Sequence, residues 1–222
     1  DRVLQEEYLS VAYDFKKRGM INKIRLSTRP DYMDDSVIER LKKFEVDLVE
    51  LGCQSFDDEV LLTSKRGHTS DIIESAVKGL KEANIEVGIQ LMLGLPGDSF
   101  AKFQDSVWKT VKLAPNCVRL YPALVIKDTE LEILHHNGVY SPLTLDAATE
   151  WCAWAFEILT KYKIQVIRMG LQRTDLIDFE GAVIAGPFHP AFGELVLSKV
   201  FLKPIEKWFK DKKDIEKEYQ TL

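Results

Sequence analysis

The feature that most constrains the fold is a regular alternation of short apolar runs with amphipathic stretches. The apolar runs predict strands at 24–27, 46–51, 87–93, 117–122 and 164–168. Between them, apolar residues recur at helical spacing over 37–44, 69–83, 100–113 and 144–161. This order is typical of βα units, which place successive strands parallel in one sheet. The sequence therefore predicts an α/β fold with a mostly parallel sheet.

Both ends of the chain are expected to be helical. Apolar residues are at helical spacing from the first residues, and the pattern ends at Gly19, a residue suited to terminating a helix. We therefore expect the chain to start inside a helix, as a fragment of a longer protein would. A short helix is expected from Asp57. Residues 195–219 predict a last helix, with Pro204 accepted as a first-turn residue.

Composition excludes several classes of protein. The 222 residues carry 30 Lys and Arg against 35 Asp and Glu, so a net charge of −5 gives no overall attraction to nucleic acid. No apolar run approaches the ~18 residues of a membrane span. Cys53, Cys117 and Cys152 cannot form a paired disulfide framework, which favours a reducing compartment. We expect a cytoplasmic protein that is not bound to membranes.

Polar residues follow the apolar runs at the ends where α/β proteins bind ligands. Ser27 and Arg29 follow the first predicted strand, and Gln54 follows the second. A ligand contact and an ordinary loop hydrogen bond explain these residues about equally well. Arg66 lies in Lys65-Arg-Gly-His68, from which it could reach the same end of the sheet.

The third and last strands carry the other candidate residues. Gln90 interrupts a strand that we expect to be buried on both faces, so its amide needs a ligand or a polar network. After it, Gly94-Leu-Pro96-Gly97 predicts a tight turn that lets backbone approach a flat ring. The segment 168–173 holds two arginines and a glutamine, which suit a carboxylate or phosphate but are equally typical of a surface loop.

The sequence contains no motif for several other kinds of binding or catalytic site. His135 and His136 are neighbours on a predicted helix and point about 100° apart, so they do not form a metal pair. The cysteines are too dispersed for a zinc or cluster motif, and no P-loop, nucleophile elbow or dinucleotide fingerprint is present. The residues by themselves predict an α/β protein with a ligand at its strand ends.

The order of these motifs resembles the radical S-adenosylmethionine (SAM) superfamily, in the branch of Elongator catalytic subunits and oxygen-independent coproporphyrinogen oxidases. The motifs that carry the resemblance are IRLSTRPD at 24–31, VELGCQS at 49–55, KRGH at 65–68 and LMLGLPGD at 91–98. MGLQ at 169–172 and GPFHPAFGELV at 186–196 are similar to the C-terminal extension of Elongator-like bacterial members.

The resemblance implies a partial (β/α)6 TIM-like barrel over 1–163 and a helical C-terminal extension over 164–222. It implies two cofactors, a [4Fe-4S] cluster and S-adenosylmethionine, which together generate a 5′-deoxyadenosyl radical. The resemblance also implies which residues bind S-adenosylmethionine. Ser27 and Arg29 would bind its amino or ribose groups, Gln54 its ribose or methionine end, Arg66 its carboxylate and Gln90 its ribose. The backbone of Leu93, Gly94 and Pro96 would lie against adenine.

One departure from the family pattern is decisive. The Cys-x3-Cys-x2-Cys cluster motif is absent from the chain, and so is the glycine-rich turn that receives the methionine amino group. Both would lie upstream of residue 1, so we expect the first barrel strands and the cluster ligands to be missing. The parent protein is then a radical enzyme, and this chain alone is expected to be inactive.

The resemblance leaves the substrate open between tRNA, as in the Elongator-like branch, and a porphyrin precursor, as in the oxidase branch. An electron donor such as flavodoxin or ferredoxin is implied, and a homo-oligomer is left open. A non-catalytic RNA-binding module is an alternative from another class, because Trp208 and Phe209 lie among basic residues. Interleaved acidic residues favour a solvated helix instead. The basic residues are lysines 199, 203, 207, 210, 212 and 213.

Overall fold

A computed structural model describes residues 2–171 and 181–219, with the side chains of 207 and 210–219 left aside. The strands in this part of the chain are β1 (Arg25–Thr28), β2 (Leu48–Gln54), β3 (Glu86–Leu93), β4 (Cys117–Pro122), β5 (Val125–Ile126), β6 (Gln165–Met169) and β7 (Val183–Ala185). The helices are α1 (Arg2–Lys17), α2 (Asp35–Lys43), α3 (Asp58–Thr63), α4 (Ser70–Glu82), α5 (Phe100–Leu113), α6 (Glu130–His136), α7 (Leu145–Lys161) and α8 (Phe192–Tyr219).

The main sheet has five strands in the order β1-β2-β3-β4-β6. β1 pairs parallel with β2, and β2 pairs parallel with β3, with Ser27 opposite Glu50 and Glu50 opposite Gly88. The predicted α/β class with a mostly parallel sheet is confirmed. Within the described residues β1 and β6 form the two edges, so the sheet is open and does not close into a barrel.

The helices begin where the sequence supplies a cap. The Asp34 carboxylate accepts from Val37 N at 2.9 Å and starts α2, and Ser99 caps α5 in the same way.

In α4 the buried residues recur three and four apart, so one stripe of the helix enters the core; they are Ile73, Ala76, Val77 and Leu80. Each large side chain buried in this way contributes about 1.5–3 kcal/mol.

The two faces of the sheet differ in chemistry. Val49, Leu51 and Cys53 alternate along β2 and are fully buried under the helices. The residues between them point to the other face, where Glu50 is buried but polar. A parallel strand covered on both faces is usually apolar throughout. The second face therefore has a composition suited to binding, and not only to packing.

Two features differ from the sequence predictions. Pro204 lies inside α8 and not in a first turn, because the helix already begins at Phe192. Burial of Phe192 and Val196 and a salt bridge between Lys203 and Glu157 anchor the first half of α8, which offsets the ~3 kcal/mol cost of an interior proline. The antiparallel pair β5–β7 was not expected from the sequence, since strands this short give no periodic signal.

The chain divides into two compact units. One comprises Asp1–Tyr121 and Leu159–Arg168, and the other comprises Pro122–Ile158 and Met169–Leu222. The predicted division between 163 and 164 stays a prediction. Among the described residues no helix is long and apolar enough to cross a bilayer.

Candidate functional site

The carboxyl ends of β1, β2 and β3 meet at one edge of the sheet, because these strands are parallel neighbours. Arg29, Gln54 and Gly94 each come at or directly after one of these ends. Tertiary structure therefore brings three of the predicted segments to one place. Ligands of open α/β sheets bind at this edge.

Gln54 ends β2 in a conformation that costs energy. Its φ is 68°, and the pairing register between β2 and β3 shifts between Leu51 and Gln54. The side chain is only 7% exposed, and its Nε2 lies 2.8 Å from where a Cβ on Gly52 would be. In the described part of the chain, the buried side-chain atoms without a hydrogen-bond partner include Arg66 Nε and His68 Nδ1 but not the Gln54 amide. An amide at this edge can both donate hydrogen bonds to a polar ligand and accept them from it.

Arg29 lies against the segment that carries Arg66. Arg29 Nε and Nη2 donate to the Asp31 carboxylate at 2.9 and 2.7 Å, and Nη2 lies 2.9 Å from where a Cβ on Gly67 would be. This bidentate pair lowers the pKa of Asp31. Burial lowers the pKa of Arg66, and the neighbouring Arg29 charge adds to the effect. The Nε of Arg66 is buried without a hydrogen bond.

His68 joins this segment to the end of β2. Its Nε2 is 3.2 Å from the Cys53 carbonyl oxygen, and the ring is 5% exposed. Burial lowers the pKa of His68, so the ring is neutral at pH 7. His68 therefore connects the segment that carries Arg66 to the end of β2 without adding charge.

The turn after β3 is fixed by the side chain of Asp98. Gly94, with φ of 76°, donates its N–H to Asp98 Oδ2 at 2.9 Å, and Ser99 N donates to Oδ1 at 2.8 Å. Leu93 and Pro96 are buried. Burial raises the pKa of Asp98 to about 6, although both backbone donors oppose the shift. Because the turn is held in this way, the peptide planes of its backbone keep one fixed orientation.

This turn gives a pH-dependent prediction. The native pKa of Asp98 lies above the unfolded value of 3.8, so the native state binds the proton more tightly. The free energy of unfolding should therefore fall as pH rises from about 4 to about 6, by on the order of 2 kcal/mol from this group. Asp98→Asn should remove that part of the pH dependence. Urea unfolding at several pH values measures it.

The control is Asp105→Asn, because Asp105 is an exposed carboxylate on α5 that pairs with Lys109. This variant should keep the wild-type pH profile between pH 4 and 6. Equal profiles for wild type and Asp98→Asn would contradict the assignment.

Gln90 and Ser27 lie on the polar face of the sheet. Gln90 Nε2 makes a long contact of 3.4 Å with Glu50 Oε2, and Ser27 is opposite Glu50 in the register. Gln90 is half-buried and not buried on both faces as expected, because its face carries polar neighbours. Of the two alternatives for Gln90, a ligand or a polar network, this contact supports the second, and a ligand contact stays a prediction. Sequence reasoning missed Glu50, the centre of this network, although an acidic residue inside an apolar strand was the available signal.

The described residues do not fit a [4Fe-4S] cluster. Among them no three His, Cys, Asp or Glu side chains are grouped as metal ligands. Cys53, Cys117 and Cys152 are buried and free, and burial raises the pKa of each thiol. Ligation requires thiolates. Arg168 belongs to β6, while the predicted residues Gln172 and Arg173 lie outside the described residues.

The described residues form an open parallel sheet with amide and guanidinium groups and a glycine turn at its carboxyl edge, the edge at which α/β proteins bind ligands. Two family models match this chain. The radical SAM superfamily model matches residues 2–107, and the radical SAM C-terminal domain model matches residues 115–201. The chain belongs to the radical SAM superfamily.

Similar proteins agree with this assignment. A tRNA uridine(34) acetyltransferase of Methanocaldococcus infernus is 32% identical over 69% of this chain and 29% of its own length. An oxygen-independent coproporphyrinogen-III oxidase-like protein of Bacillus subtilis is 28% identical over 49% of this chain and 22% of its own length. The solved structure of Elp3 from M. infernus, with an N-terminal deletion, has a TM-score of 0.74 at 30% identity, covering 82% of this chain and 42% of that chain.

The chain thus spans less than a third of the length of these two curated relatives. The motifs that carried the resemblance at 24–31, 49–55, 65–68 and 91–98 all fall inside the region that the superfamily model matches. The predicted membership in this superfamily is confirmed.

Proposed function

We propose that this chain is the cofactor-binding part of a radical SAM enzyme that acts on tRNA. The observation that carries the proposal is Arg66 Nε, which is buried without a hydrogen-bond partner in the described part of the chain. Two residues further on, His68 contacts the Cys53 carbonyl oxygen, next to Gln54 at the end of β2, where the Gln54 side chain is 7% exposed. The Arg66 guanidinium and the Gln54 amide are suited to a ligand that carries a carboxylate and ribose hydroxyls.

In this proposal each residue at the edge has one task. Arg66 binds the carboxylate of S-adenosylmethionine, Gln54 its ribose or methionine end, and Gln90 its ribose. The other contacts come from Ser27, from Arg29 and from the backbone of Leu93, Gly94 and Pro96. When bound and reduced by one electron, S-adenosylmethionine supplies the 5′-deoxyadenosyl radical that takes a hydrogen atom from the substrate.

The [4Fe-4S] cluster is implied by the superfamily, but the described residues lack a ligand set for it. We infer that the cluster ligands lie outside this chain. The inactivity of the isolated chain is part of the same inference.

The substrate assignment is supported by the name of the archaeal relative, a tRNA uridine(34) acetyltransferase. A porphyrin precursor is the alternative, supported by the B. subtilis relative. The electron donor, a flavodoxin or ferredoxin, stays a prediction, as do a homo-oligomer and a cytoplasmic location.

The structure does not favour a non-catalytic RNA-binding module in α8. Two of its lysines are already paired, Lys199 with Asp146 and Lys203 with Glu157. Paired lysines contribute less to phosphate binding than unpaired ones. Trp208 and Phe209 stack edge to face on each other, with a ring separation of 4.9 Å.

The test uses the natural protein that carries this chain, reconstituted with iron and sulfide without oxygen. After reduction with dithionite, we expect formation of 5′-deoxyadenosine and methionine, measured by mass spectrometry. Arg66→Gln should raise the KM for S-adenosylmethionine about tenfold, the loss of one charged hydrogen bond. Lys65→Gln, an exposed neighbour, should have little effect.

Two outcomes would contradict the proposal. The first is a reconstituted protein that holds the cluster and cleaves no S-adenosylmethionine. The second is an equal effect of the two substitutions on KM.

A further inference from the structure

The last helix, α8, is held in its compact unit by one side only. Phe192 and Val196 are buried on that side, and Lys199 and Lys203 form ion pairs with acidic residues of the same unit. Because successive residues of an α-helix are 100° apart, these four positions fall within an arc of about 60°. The rest of the helix surface in this half of α8 is available for other contacts.

The opposite side of α8 carries an exposed apolar patch, which we call the α8 patch. Its five side chains are large, and each of them is between 50% and 66% exposed; they are Phe201, Leu202, Ile205, Trp208 and Phe209. Earlier on the same side, Glu194 and Ser198 are exposed and polar, as expected for a helix that faces solvent. The exposed side of α8 therefore changes from polar to apolar at Phe201.

The area of the α8 patch is close to what a weak protein interface needs. Large side chains exposed to this degree present on the order of 500 Å² of apolar surface together. This value lies at the upper end for the largest apolar patch of a monomeric protein, and such patches are often functional. With its polar rim, the patch would bury about 600 Å² on each partner, the lower end for specific interfaces.

The α8 patch is symmetric along the helix. Its members lie three and four positions before Ile205 and three and four positions after it. Seven positions away on either side, the sequence has the polar residues Ser198 and Lys212. A dimer with two-fold symmetry uses the same surface on both copies, so that surface must be complementary to itself.

Two antiparallel copies of α8 meet this requirement. With a two-fold axis at Ile205, each Phe201 would lie opposite Phe209 of the second copy. Leu202 would likewise lie opposite Trp208 of the second copy, and the two Ile205 side chains would meet at the axis. Each apolar side chain of the patch would then be covered by another apolar side chain.

The charges near the patch suit a second copy better than an anionic surface. Lys199 and Lys203 are the lysines of α8 whose side chains the structure describes, and both form ion pairs on the opposite side of the helix. Glu206, next to Ile205, is exposed. A nucleic acid or an anionic membrane would instead require unpaired cations beside the apolar residues.

We propose that the α8 patch is the interface of a homodimer, in which two copies of α8 pack antiparallel about a two-fold axis at Ile205. An interface of this size gives a dissociation constant in the micromolar range. The inference is independent of the proposed function, because it uses none of the residues at the carboxyl edge of the sheet.

The test measures the oligomeric state of the natural protein that carries this chain, by sedimentation velocity at micromolar to millimolar concentrations. The wild-type protein should change from monomer to dimer over this range. Ile205→Glu should raise the dissociation constant by about a hundredfold or more, because it places two carboxylates opposite each other at the axis. Ile133→Glu, the same change at an exposed isoleucine of α6, should leave the dissociation constant unchanged.

A cysteine pair tests the orientation of the two helices. Ile205→Cys should form a covalent dimer on oxidation with diamide, because the two thiols would meet at the axis. Ser198→Cys should not, since at 1.5 Å per residue the two positions would lie about 21 Å apart along an antiparallel pair. Efficient cross-linking of Ser198→Cys would overturn the antiparallel arrangement. A protein that stays monomeric throughout, or a dimer that Ile205→Glu does not weaken, would overturn the interface itself.

Discussion

Replacing Gln54 by methionine should abolish most cofactor binding while changing the stability of the fold little. The side chain is 7% exposed, and in the described part of the chain its amide is not among the buried atoms without a hydrogen-bond partner. Methionine has a similar length and no branch at Cβ, so the cost of the positive φ at this position stays the same. The free energy of unfolding should therefore change by less than about 1 kcal/mol.

Affinity for S-adenosylmethionine should fall about ten- to a hundredfold, the loss of one or two hydrogen bonds in a buried site. Equilibrium dialysis measures the affinity, and urea unfolding measures the stability. Gln104→Met, on α5, is the matched control and should change neither quantity much. A large loss of stability without a change in affinity would show that Gln54 has a structural role only.

Gly170→Ala should be the most destabilising glycine substitution among those with positive φ that we consider. Gly170 has φ of 77°, and an added Cβ would lie 2.7 Å from Phe192 Cβ and 2.8 Å from its Cδ1. Phe192 is 2% exposed at the start of α8, so it cannot move into solvent. The backbone cost of about 1 kcal/mol and the overlap together should lower the free energy of unfolding by roughly 2–4 kcal/mol.

Gly138→Ala separates the two contributions. Gly138 has φ of 70°, but nothing lies within 4 Å of an added Cβ. Only the backbone cost of about 1 kcal/mol applies there. Equal losses in the two variants, measured by urea unfolding, would rule out close packing as the reason for glycine at 170.

The positions of the main strands and helices were predictable because each depends on local pattern. The predicted strand at 117–122 and helix at 100–113 have the observed bounds. Asp34 and Ser99 begin helices because their side chains accept from the next turn. These interactions span four residues or fewer, so the sequence contains all the information they need.

Pro204 shows where local pattern was insufficient. Its tolerance inside α8 depends on Phe192 and Val196, which are buried, and on the pairing of Lys203 with Glu157. Those contacts join residues far apart in the chain. No local rule predicts a stabilisation that comes from such contacts.

The candidate site divides in the same way. Gln54, Arg66 and Gln90 were identified from residue type, motif order and position after a strand, and their roles toward a cofactor stay predictions. Assembly of the sheet decided that Glu50 would pair with Arg25 and Arg119, because it brings together side chains from β1, β2 and β4. Sequence by itself determined the fold class, the family and the residues available for binding. Only the tertiary structure decided which charged side chains face each other. An ion pair between strands depends on the register and the distance of the strands, and the sequence of one strand by itself contains neither.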